Sequence, residues 1–152
     1  IKDVLENIER YSAANNHYVF EITETIEMDQ IPAVQNVFKE FAKNEFRFAI
    51  DDFGTGYSNY GYMRDRTFDI VKVDRSFVTD IDKLKDNYLM VSFIIKMAHE
   101  MGLHVCIEGV ETKEELSCVK RLGADYIQGY YYGKPVCLQD FEEQHLKRFV
   151  LG

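Results

Sequence analysis

Apolar residues recur along this chain with two alternating periods, one helical and one of strands. Val4, Leu5, Ile8 and Tyr11 stand at helical spacing over residues 3–14, and HYVFEIT, 17–23, then reads as a strand. Ile31, Val34, Val37, Phe38 and Phe41 form one stripe of a helix over 31–44, with Pro32 in its first turn, where a missing N–H costs little. FRFAID, 46–51, and FDIVKVD, 68–74, are strands, and the stretch between them, 57–66, is the weakest helix. NYLMVSFIIKMAHEM, 87–101, is a long apolar helix stopped by Gly102. HVCIEG, 104–109, is a strand. Thr112 and Glu115 make a capping-box pattern that opens a helix carrying Leu116, Val119 and Leu122 and closing at Gly123. DYIQG, 125–129, is a short last strand, and 138–151 a final helix.

Strands alternating with helices predict parallel strands joined by crossover helices, an α/β fold. The choice lies between an open doubly wound sheet and a (β/α)8 barrel. Strand ends separate them. Glu21, Asp51, Lys72, Glu108 and Gln128 close the five strands, each on the face of the residue two before it: Val19, Ala49, Ile70, Cys106 and Tyr126. The opposite face is apolar throughout, with Phe20, Phe48, Ile50, Val71, Val73, Val105, Ile107 and Ile127. An open sheet gathers its ligands at one crevice, whereas a barrel mouth collects polar groups from every strand, so a modified TIM barrel is expected. Such a barrel needs about 250 residues. About five βα units are present, so the chain is expected to be the C-terminal part of one domain whose first strands lie before Ile1.

Composition narrows the partners. Apolar residues make up 46% and aromatics 14%, which suits a folded core. A net charge of −8 argues against a nucleic-acid polymer as ligand, but not against a small phosphate whose charge is met by metal ions. Cys106, Cys118 and Cys137 have no C-x-x-C spacing and leave an odd thiol, which points to a reducing compartment and a cytoplasmic setting. No apolar run reaches ~18 residues, so no membrane insertion is expected of this chain.

The chemistry concentrates in a few strings. Asp51 and Asp52 stand side by side before Gly54 and Gly56. Such a pair can be a solvated Asx turn, but a barrel mouth favours two hard cations shared between the carboxylates. Gly54-Thr55-Gly56 is no phosphate-binding P-loop, since no Gly-Lys-Ser/Thr follows. Lys72 is either a surface lysine, a group steering a phosphate or its attacking water, or a Schiff-base lysine as in barrel aldolases. Glu108 and Glu111 share IEGVET; Glu111 could simply line the first turn of a helix. Glu24 is ambiguous. His17, His99, His104 and His145 make no useful ligand pair and read as structural or exposed. An oxygen-rich set with no Ser-His or Cys-His pairing points to metal-assisted hydrolysis, plausibly of a phosphate ester.

FEITET, DDFGTGYSN, FDIVKVDRSFV, IEGVET and IQGYYYGKP, in this order and spacing, resemble the EAL-domain cyclic di-GMP phosphodiesterases over residues 4–145. The resemblance implies a modified TIM barrel that hydrolyses cyclic di-GMP to linear pGpG with two Mg²⁺ or Mn²⁺ ions. It implies Glu21, Asp51 and Asp52 as metal ligands, with Asp51 between the ions. It also implies Lys72 at the attacking water and phosphate, Glu108 at the second metal or its water, and Gln128 near that water. Glu24 resembles the glutamate that holds the Asp-Asp loop, and Glu111 is carried over by the same string.

Two departures from the family pattern stand out: the Glu-Ala-Leu segment and the strand-end asparagine after it are absent, both belonging upstream of Ile1. The 152-residue chain alone is therefore expected to be inactive or nearly so. It is also expected to associate with another copy or with the missing strands. A degenerate domain that binds cyclic di-GMP or a protein without hydrolysis is the alternative, and a Schiff-base aldolase using Lys72 a distant third.

Overall fold

The computed structural model describes residues 18–23, 32–55, 68–141 and 143. Five parallel strands form one sheet in sequence order: β1 (Val19–Thr23), β2 (Arg47–Phe53), β3 (Ile70–Val73), β4 (His104–Ile107) and β5 (Tyr126–Ile127). The helices are α1 (Pro32–Lys43), α2 (Lys85–Glu100), α3 (Lys113–Leu122) and α4 (Leu138–Phe141). Every expected strand is present, with no end shifted by more than two residues. The expected helices over 3–14 and 57–66, and most of the last one, lie outside the described residues. A short 3-10 turn, Arg75–Phe77, was not signalled by periodicity, because three residues are too few to show a period.

The strand faces divide as the alternation predicts. Phe48, Ile50, Val71, Val73, Val105 and Ile107 are all buried. They share one core with Val91, Ile94, Ile95 and Ala98 of α2 and with Leu116 and Val119 of α3. Under α1 that core becomes aromatic. Phe20 and Phe41 meet edge to face at 4.8 Å, and the rings of Phe38 and Phe48 lie 4.7 Å apart. Gly102 sits one residue beyond the α2 cap, Met101, and Gly123 caps α3 in the left-handed conformation.

The other face is buried at its centre, at Ala49, Ile70 and Lys72, and exposed at its margins, at Val19 and Tyr126. Val19, Glu21, Ala49, Ile70, Lys72, Cys106, Tyr126 and Gln128 line a cavity of about 210 Å³ on it, together with Arg47. Arg47, on β2, spans this face to Tyr126 on β5, with a guanidinium nitrogen 3.5 Å from the phenol oxygen. The face is that of a barrel interior, and the architecture is a partial α/β barrel.

Candidate functional site

Polar side chains gather where the strands end. Lys72, on β3, is buried, and its Nζ lies 2.7 Å from Glu21 Oε1, 2.8 Å from Asp51 Oδ1 and 2.9 Å from Glu108 Oε1. One ammonium thus touches carboxylates from β1, from β2 and from the residue after β4, which requires the sheet to curl. Burial alone would lower the lysine pKa. The contacts with Asp51, Glu21 and Glu108 outweigh it and hold the ammonium charged, above its ordinary value. Lys72 cannot neutralise three carboxylates. Glu108 carries the surplus: burial raises its pKa, and the charges of Asp51 and Glu21 add to that against the pull of Lys72.

Asp51 and Asp52 owe their arrangement to a bulge. Ile50 pairs with Val71 and Phe53 with Val73, so β2 spends three steps where β3 spends two. Asp52 takes the left-handed φ of 54° at this point, and its carbonyl accepts from the backbone N–H and the hydroxyl of Thr55, at 3.2 and 2.8 Å. Adjacent residues of a regular strand point to opposite faces. Here the extra residue lets both aspartates serve the same rim. Asp51, Asp52 and Glu108 each bring a carboxylate oxygen within 4.8 Å of the others. Asp51 Oδ1 is buried and receives no well-directed hydrogen bond, its contact with Lys72 being ionic only. An all-oxygen donor set with an unsatisfied buried lone pair fits a hard divalent cation.

The remaining sequence-predicted residues fall around this centre. Glu21 belongs to the Lys72 ring but not to the acidic triad. Gln128 and Glu111 line a cleft of about 230 Å³ with Glu108, Asp74, Arg75 and Tyr130. Glu24 lies outside the described residues. His99 and His104 sit far along the sheet at the opposite end of β4, both on Asp125, at 2.8 and 3.4 Å. That is a structural role, as expected. Cys106 lies beside Lys72, and burial with the Glu108 charge pushes its thiol up to about 11, so it stays neutral.

Sequence reasoning missed how the rim is held. Gly109 has a φ of 71°, and a Cβ there would stand 2.3 Å from the Arg75 Cβ. At Gly129 a Cβ would stand 2.2 Å from the Val110 carbonyl oxygen. The loop after β3 therefore lies against that after β4, and the loop after β4 against that after β5. Glycines inside IEGV and IQGY were the available signal.

A curled parallel sheet with helices on its outer face and a carboxylate–lysine cluster at its strand ends defines a (β/α)-barrel protein with its site at the mouth. The chain belongs to the EAL domain family, which it matches over residues 1–135. Cyclic di-GMP phosphodiesterase PdeB of Shewanella oneidensis is 35% identical over 131 residues, 86% of this chain and 15% of PdeB. The EAL enzyme Bd1971, solved with cAMP and cyclic di-GMP bound, superposes with a TM-score of 0.83 at 36% identity over 91% of this chain and 37% of its own. BlrP1 of Klebsiella pneumoniae, solved with manganese and cyclic di-GMP, superposes with a TM-score of 0.78 at 28% identity, covering 87% and 34%. The chain thus spans well under two thirds of each of these proteins.

Proposed function

We propose that residues 1–152 form the C-terminal portion of an EAL domain that hydrolyses cyclic di-GMP to linear pGpG using two Mg²⁺ or Mn²⁺ ions. The observation that carries this reading is the rim itself, where Asp51, Asp52 and Glu108 converge beside a buried, triply paired Lys72. Asp51, Asp52 and Glu108 would hold a divalent ion, and Glu21, on the neighbouring strand, is a further carboxylate that shares Lys72 with Asp51. Such ions, when bound, supply Lewis-acid polarisation of the phosphoryl oxygens and make water acidic enough to attack near neutral pH.

The chain's own residues do the rest. Lys72 places a permanent cation where phosphate charge builds up during attack. Glu108, at the ion or at its water, would help to position the attacking water. Gln128, on the same rim, offers an amide that can orient that water, and Glu111 faces the same cleft. Water oxygen bonds to phosphorus, the P–O3′ bond breaks, and the proton ends on the departing 3′ oxygen. Glu24 is assigned to holding the Asp51-Asp52 loop. The margins of the inward sheet face meet the remaining strands of the barrel or a second copy, in a cytoplasmic setting.

The test compares cyclic di-GMP turnover in Mn²⁺ by the whole protein containing this chain and by residues 1–152 alone. We expect pGpG from the whole protein, its loss on chelation, and at most a trace from the chain. A whole protein that binds the nucleotide and leaves it intact is a receptor, and the catalytic roles above are then wrong.

A further inference from the structure

Lys72 and the acidic triad compete for the same groups. The ammonium contacts Glu21, Asp51 and Glu108, while the converging carboxylates are Asp51, Asp52 and Glu108, so two of the three are claimed twice. The lysine is not a surface group that drifted in. It is 6% exposed, set in β3 between the fully buried Val71 and Val73, and its Nζ lies within 2.9 Å of an oxygen from each of three carboxylates. Removing its charge would leave Glu21, Asp51 and Glu108 close together around an apolar strand, with nothing to offset their repulsion.

Resting on the metal-site reading above, we propose that Lys72 is the site's resident counter-cation. It holds the carboxylates in place while no divalent ion is bound, and it competes with that ion for Asp51 and Glu108. Glu21, outside the triad, keeps the ammonium at the rim when those two carboxylates turn to the ion. The donors released then face an anionic ligand. Divalent ion and phosphate therefore favour each other's binding through one side chain. Site formation is thereby uncoupled from metal supply: the carboxylates stand close to their working positions before the ion arrives, and metal affinity is reduced in exchange.

Mn²⁺ titration of the whole protein containing this chain, read by the electron paramagnetic resonance signal of free Mn²⁺ and by thermal melts, tests this on wild type, Lys72→Met, Lys72→Gln and Asp51→Asn. Both lysine variants should melt lower than wild type without metal, bind Mn²⁺ about tenfold more tightly or better, and gain more thermal stability from it. Lysine variants that fold only with Mn²⁺ support the proposal more strongly still. Variants that stay unfolded at saturating Mn²⁺ overturn it, because the ion would then have failed to replace the missing charge. If Asp51→Asn abolishes binding while the lysine variants bind as wild type or more weakly, the counter-cation role falls and the metal site stands. If neither wild type nor the lysine variants bind at millimolar Mn²⁺, the metal-site reading falls and takes the proposal with it.

Discussion

Glu115 is a carboxylate almost withdrawn from water, at 5% exposure, and every direction it faces offers a backbone N–H. Oε2 accepts from Glu111 and Thr112 at 2.9 and 3.0 Å, and Oε1 accepts from Asp80 at 3.1 Å. Burial alone would raise its pKa, but the backbone bonds from Glu111, Asp80 and Thr112 outweigh that and lower it from the ordinary 4.5. A depressed carboxylate stabilises the fold above its unfolded pKa, and that stability is lost as pH falls through the folded one. Glu115→Gln should therefore cost about 1–3 kcal/mol at pH 7. The gap to wild type should close as urea melts are repeated from about pH 5 downward. A gap that stays constant to low pH would show that volume, not charge, sets the cost. Half of this arrangement was legible. Thr112 and Glu115 announce a capping box by their spacing, and both reciprocal bonds are present. The bond to Asp80, 35 residues away, joins the segment after β3 to the first turn of α3, and no local pattern records it.

At the scale of elements, the alternation rule located the five strand-end groups and had no account of Asp52, which stands beside one of them. Glu21, Lys72, Glu108 and Gln128 stand on or just past their strands as period two requires. Asp51-Asp52 breaks that period, and only the bulge against β3 explains how two neighbours reach one rim. The glycine motifs were visible, but their purpose was not, since each glycine answers a neighbour from another loop. Gly129 tests this. Val110 N–H donates to the Gln128 carbonyl at 3.2 Å, and the Val110 carbonyl accepts from Tyr131 at 3.0 Å, all within reach of a Cβ at position 129. Gly129→Ala should cost about 2–3 kcal/mol in thermal or urea melts, because backbone must move to admit the methyl group. Gly133→Ala, four residues on, meets nothing within 4 Å and should stay near wild type. Equal losses in the two variants would mean that flexibility, not close approach, is what the glycines supply.

At the scale of the molecule, the barrel class was legible because polar strand ends and two-sided strands are whole-sheet properties that each strand states separately. What covers the inward face was not legible, because the residues that would touch it belong to no pattern within this chain. Among the described residues the sheet ends at β1 and β5. Val19 is 38% and Tyr126 41% exposed on those edge strands. On the outer surface, Leu89 and Phe93 of α2 are 54% and 59% exposed. Sheet edges with exposed apolar side chains favour association, and a net charge of −8 opposes it between identical copies. The two terms predict a dependence on salt. Light scattering of the 152-residue chain should show a mass that rises with concentration through the micromolar range, and rises further as ionic strength screens the repulsion. A segment supplying further barrel strands, as proposed above, should suppress that self-association when added separately, because it would occupy the same edges. A chain that stays monomeric at every salt concentration would mean that these edges are stable in water, and that nothing in the sheet itself calls for a partner.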